Sequence, residues 1–178
     1  MYPVLRMVKG MALAALSFPL PLTGTHVSHH ICWPWDLDIW MELNNGRSLT
    51  LYDLGRFPLT MRTGLAGMLR RRRWGMTMAG ASVRWRRRVR VFDRVEMHSR
   101  CVGWDARFLY IEQSMWLRGE AASAALYRAV VTGPSGIVPT AEVLRALGMR
   151  EATCTPPAYV QDWIALEATR PWPPTMAG

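Results

Sequence analysis

Between Asp36 and Arg47 the chain reads DLDIWMELNNGR, with three carboxylates, Asp36, Asp38 and Glu42, ahead of an Asn44-Asn45-Gly46 corner. A carboxylate beside the start of a helix can serve as general base or nucleophile. The first backbone N–H groups of a helix have no partner within it, so they can meet an oxygen that is gaining charge. Asn44 or Asn45 can cap such a helix through its side-chain oxygen, which starts the helix near Gly46. Asp38 is a candidate base or nucleophile. Asp36 is the second acid and suits the orienting of the loop or of a water. The amides from Asn45 through Gly46 to Arg47 are the candidate oxyanion donors.

The surrounding pattern supplies elements to hold this stretch. Thr25 to Trp35 carries Val27, Ile31 and Trp33 at even spacing and reads as a first strand, ended by Pro34. A helix from Arg47 to about Leu69 is apolar on more than one side, as a buried helix is. Pro58 should kink or divide it. Gly75 to Phe92 reads as one long strand, with Val83, Trp85, Arg87, Val89 and Val91 on one face and Arg84, Arg86, Arg88 and Arg90 on the other. Strands follow over Val95–Val102, Arg107–Leu117 and Ala121–Val131, with turns at Asp93, Gly103 and Gly119 between them. The last is read as a strand despite its alanines, because it ends in Val130-Val131 before Gly133-Pro134. The sum is an α+β domain, a five-stranded antiparallel meander around one helix. Thr140 can cap a short helix to Leu147, and Pro157 can start a last helix to about Glu167 before a loose tail.

The D-x-D pair, the N-N-G-R corner and the Asp53-Leu54-Gly55-Arg56 segment together resemble the hotdog-fold acyl-CoA thioesterases, in particular the 4-hydroxybenzoyl-CoA thioesterase-like branch. The resemblance runs from about residue 25 to 148 and matches Asp36, Asp38, Asn44, Asn45, Gly46, Arg47, Asp53, Gly55 and Arg56. It implies a sheet wrapped around a central helix, with a hotdog domain over 25–150, a basic and apolar segment over 1–24, and a helix and tail over 151–178. It implies hydrolysis of an acyl-CoA or acyl carrier protein thioester, in a homodimer or tetramer, without cofactor or metal. A non-catalytic acyl-CoA or lipid-binding hotdog protein is the alternative. Two positions depart from the family: Glu42 stands where a His is common, four residues after the acid, and Ser48 where a Tyr is common. Glu42 can raise the proton affinity of Asp38 by like-charge repulsion, or act as the base itself.

Further residues are candidates for contact with such a substrate: Tyr52, Asp53, Arg56, Arg84 and Arg86. Asp53 and Arg56 are three apart, so a structural ion pair is equally easy. One of Glu112 and Gln113 should point inwards. Trp40, Trp85, Trp104 and Trp116 suit an acyl pocket, a core or an interface.

Composition narrows the remaining classes. The 178 residues are 50% hydrophobic and 20% charged, which suits one folded domain. The net charge is +9, nearly all of it arginine, with Lys9 the one lysine. Such a surface suits phosphates, anionic membranes or nucleic acid. Nucleic acid is set aside, because no recognition-helix pattern or base-stacking motif accompanies the arginines. The widely spaced Cys32, Cys101 and Cys154 form neither a disulfide framework nor a metal pair and suit free thiols in the cytoplasm. Residues 1–24 place Arg6 and Lys9 before an apolar run, Met11 to Leu22, too short to span a bilayer and broken by Pro19 and Pro21. The expectation is a short helix that packs on the domain or touches a membrane peripherally.

Overall fold

The computed structural model describes residues 2–149 and 153–174. In chain order these form α1 (Val4–Ala15), β1 (His26–Ile31), α2 (Asn45–Arg62), α3 (Leu65–Arg72), β2 (Gly75–Trp85), β3 (Arg94–Trp104), β4 (Leu109–Leu117), β5 (Glu120–Gly133), β6 (Gly136–Ile137), α4 (Thr140–Ala146) and α5 (Ala158–Thr169). The expected domain junction at 150–151 and the tail beyond 174 lie outside the described residues.

The sheet is antiparallel in the order β1-β3-β4-β5-β2, with β6 added beside β5. The consecutive β3-β4-β5 meander is therefore extended by β1 on one side and β2 on the other. α2 lies against the inner face. Ala122, Ala125 and Ala129 of β5 are buried in the hydrophobic core. That is why an alanine-rich segment is a strand here: pairing to β4 and β2 on both sides outweighs alanine's helix propensity. Gly55 makes the closest approach, since a Cβ there would sit 2.7 Å from Met97 Sδ and 3.2 Å from Gln113 Nε2. α1 covers the other side of α2, with Gly10 against Pro58 and the Leu54 carbonyl. The apolar character of α2 on several sides thus has a sheet on one side and a helix on the other.

Three expectations are corrected. The helix does not divide at Pro58: α2 runs through it to Arg62, and the break falls at Gly64, whose φ of +75° is the left-handed conformation that glycine adopts freely. Proline removes one hydrogen bond, while burial under α1 holds the segment in place. The long strand does not reach Phe92. It ends at Trp85, where the Arg86 and Arg87 amides both bond to the Ala122 carbonyl and turn the chain. Only Arg84 of the expected arginine row is in a strand, and residues 86–93 form a loop. Finally, Thr140 does not cap α4; Pro139 holds that position, with no side-chain cap. The α5 start after Pro157 is as expected.

Candidate active site

The residues ahead of α2 form a tight hairpin. Leu37 bridges Leu43, the Asp38 amide donates to the Glu42 carbonyl at 2.9 Å, and the Asn44 amide donates to the Asp36 carbonyl at 3.0 Å. Asp36 is thereby set beside the helix start, and Asp38 and Glu42 face each other one step further out. The arginine loop closes over this hairpin: Leu43 donates to the Val89 carbonyl at 2.8 Å, and Glu42 bridges Arg90.

The three carboxylates have different surroundings. Asp36 is fully buried, its Oδ1 and Oδ2 taking Arg6 at 2.8 and 2.9 Å, Arg47 Nε at 2.7 Å and the Trp33 amide at 3.0 Å. Burial alone would raise its pKa. The hydrogen bonds from Arg6, Arg47 and Trp33 outweigh that and hold it below the usual carboxylate range. Asp38 is half-buried, and among the described residues its Oδ1 takes only the Trp40 amide, at 2.9 Å. Glu42 Oε2 is buried with no hydrogen bond among the described residues; Arg88 Nε lies 3.0 Å away as an ion-pair partner.

The capping expectation is met by Asn44, whose Oδ1 accepts from the Arg47 amide at 2.9 Å. This corrects one oxyanion candidate, because the Arg47 amide is already used, and its side chain is bound to Asp36. No acceptor among the described residues takes the Asn45 or Gly46 amide. Asn45 lines a cavity of about 260 Å³ with Glu42, Leu43, Trp85, Arg86, Arg88 and Ser123. Ser48, buried, donates to the Asn45 carbonyl at 2.6 Å and accepts from Trp85 Nε1 at 3.0 Å, so it pins the indole beside the first turn.

The five further substrate-contact candidates do not come together. Arg86 lines the cavity. Arg84 lines a different one, about 540 Å³, on the outer face of the sheet under α5. Tyr52 is fully enclosed, its hydroxyl 2.8 Å from Ser123 Oγ, so the side chain belongs to the core. Asp53 and Arg56 form an ion pair. Arg56 also donates to Gln113 Oε1 at 2.9 Å and lies over the Tyr127 ring, 4.4 Å from its centroid. Gln113, the inward member of its pair, in turn donates to Ser99 Oγ and the Tyr52 carbonyl at 2.7 and 2.8 Å. The D-L-G-R segment is thus a helix-to-sheet fastening. Of the four tryptophans, only Trp85 lines the site cavity; Trp40 is exposed. Ser123 carried no signal in its alanine-rich strand. Arg6 carried none either, being thirty residues from Asp36 in sequence. Arg88 stands out in its arginine run, but the alternation there predicts a strand face where the structure has a loop.

Cys32 and Cys101 are buried free thiols, both pushed up to about 11 by burial first. Among the described residues, no group of three or more His, Cys, Asp or Glu side chains is arranged to hold a metal ion.

Comparison with known proteins places residues 32–139 within the model of the thioesterase-like superfamily. Protein THEM6 of Xenopus laevis is 34% identical over 106 residues, 59% of this chain and 51% of that protein. The chain spans about half the length of the curated relatives it matches. Among solved structures, the probable thioesterase YbaW from Escherichia coli superposes with a TM-score of 0.64 at 14% identity, over 71% of this chain and 98% of that one. BH1999 gentisyl-coenzyme A thioesterase gives 0.60 at 13% identity, over 67% and 99%. At such identities the likeness is one of fold, and the curled antiparallel sheet around α2 is the hotdog fold.

Proposed function

We propose that this chain, which belongs to the thioesterase-like superfamily, hydrolyses an acyl-coenzyme A thioester to the free acid and the thiol. The observation that carries the reading is the pair of amides, Asn45 and Gly46, that no acceptor among the described residues takes at the first turn of α2, with Asn45 on a cavity that Glu42 also lines. A thioester carbonyl set there would direct its oxygen at those amides, and the helix dipole favours the negative charge that develops. Asp38 is the base: its carboxylate holds one hydrogen bond among the described residues, so it has room for a water, whereas Asp36 is saturated by two arginines. Glu42, held by Arg88, is the second acid and orients that water. Arg86, Arg87 and Arg88 supply positive charge at the cavity for the phosphates of the carrier. The unpaired outer edge of β2 supports assembly from two copies, since an open strand edge is a template for pairing. Two buried free thiols fit a reducing compartment such as the cytoplasm.

The test is thiol release from a panel of short, long and aromatic acyl-CoAs by the wild type, Asp38→Asn and Glu42→Gln. Asp38→Asn is expected to lower kcat by about 10²–10⁴-fold, the usual contribution of a general base. Equal activity in Asp38→Asn with loss in Glu42→Gln would move the base to Glu42. A second reading, acyl-CoA binding without turnover, is favoured by Ser48: it is buried and committed to Trp85 where family members carry Tyr. Binding of acyl-CoA with no thiol released from any substrate would establish it.

A further inference from the structure

Helix α1 has two apolar sides, and only one of them is used. Pro3, Met7 and Ala14 are buried against the domain, and Gly10 meets Pro58. On the opposite side, Leu5, Val8, Ala12 and Leu16 recur at spacings of three and four and form a single stripe. Leu5 and Leu16 keep 86% and 88% of their surface, and Phe18, just past the helix, keeps 88%. Nothing among the described residues covers them.

The helix is firmly held. Arg6 is paired with Asp36, the Tyr2 hydroxyl donates to Asp53 Oδ2 at 3.0 Å, and Arg62 Nε donates to the Phe18 carbonyl at 3.0 Å. The exposed stripe is therefore displayed by the fold and is not an unattached end.

We infer that the outer face of α1 docks on the surface of an anionic lipid bilayer. Twelve residues give a helix about 18 Å long, too short to cross a hydrocarbon core of about 30 Å. No helix among the described residues is long and apolar enough to cross a membrane. A helix in the interfacial plane needs an apolar stripe with cations able to reach the headgroups. Lys9 is exposed beside the stripe, and its stem can run along apolar surface while its ammonium reaches out. Arg70 lines the same cavity as Tyr2 at the start of α1, and Arg71, Arg72 and Arg73 follow it, all exposed. Charge also decides against a second copy as the occupant. Residues 1–24 contain no Asp or Glu, so a second α1 would offer Lys9 no counter-charge, whereas anionic headgroups do.

The experiment is co-sedimentation of the full chain with vesicles of phosphatidylglycerol and phosphatidylcholine, and with vesicles of phosphatidylcholine alone. A Leu5→Gln/Leu16→Gln/Phe18→Gln variant keeps the net charge and removes the apolar contact. The wild type is expected to pellet with the anionic vesicles, and the variant's partitioning to fall by about tenfold or more, since a buried large apolar side chain contributes roughly 1.5–3 kcal/mol. Circular dichroism checks the fold; should the triple variant be unfolded, single Leu5→Gln and Leu16→Gln variants are each expected to show a partial loss. No binding by the wild type, or equal binding by folded variants, would overturn the inference. So would a drop in solution mass of the variant by sedimentation velocity, which would assign the face to a second copy.

Discussion

Two aspartates with a single residue between them, Asp36 and Asp38, have opposite environments. Asp36 lies under the hairpin with every oxygen engaged by Arg6, Arg47 and the Trp33 amide. Asp38, across from Glu42, has one amide and partial access to water. The same split recurs along α2. Asp53, Arg56, Gln113 and Ser99 are linked to one another, whereas no acceptor among the described residues takes the Asn45 or Gly46 amide. Saturated polar groups fasten the helix to its surroundings, and at its open start Asn45 lines a cavity with Glu42. Catalysis needs groups left open, and saturated ones hold them in place.

The sharpest way to break this contrast is to remove each aspartate in turn. Asp36→Ala leaves two arginines around a buried gap, so urea unfolding should show a loss of about 3–5 kcal/mol. Asp38→Ala should lose under about 1 kcal/mol while removing activity. Equal losses of stability would erase the distinction between the two acids.

A smaller effect is expected where α2 meets the sheet. Gly55→Ala drives a methyl into Ser99, Met97 and Gln113, all buried in the floor of the fold. A loss of about 1–3 kcal/mol should follow, without a change in the cavity lining. A neutral result in thermal denaturation would mean that the floor gives way more easily than its packing indicates.

A further effect is graded with pH and concerns the sheet edge at β1. His26 is lowered to about 4, by burial first and then by the charge of Arg62, which donates to its Nδ1 at 3.1 Å. His30 is also lowered to about 4, by burial and then by Arg6. Both folded values lie below the usual 6.5, so between pH 6.5 and 4 the unfolded chain takes protons that the folded chain refuses. Stability is thus greatest above pH 6.5 and falls as the pH drops toward 4. Melting temperatures from pH 7.5 to 4.5 should decline, with a shallower slope in His30→Gln. A flat profile would mean that both rings accept a proton in place.

Local patterns made much of this readable. Period-two alternation marks β1, β3 and β4 because a strand sends successive side chains to opposite faces. The Asn44 cap was legible because the bond from the Arg47 amide spans three residues. The long strand was misread because Val83 to Val91 alternates as a strand does; what ends it is the pull of Ala122, Leu43 and Cys32, all distant in sequence, on the backbone of residues 86–92. Division of the helix at Pro58 does not occur, because the proline's cost is local while the α1 packing that holds the helix through it is not.

The sequence by itself determined which groups could act: an acid pair, a capped helix start and an arginine-rich segment, each fixed by spacing of a few residues. Only the tertiary structure decided which acid is free and which is spent, because Arg6 reaches Asp36 across thirty residues. It also decided that Arg84 and Arg86 serve different cavities, since the chain turns between them, and that one side of α1 is left facing outwards. Those outcomes depend on contacts between elements far apart in the chain, and such contacts leave no period or spacing in the sequence to be read.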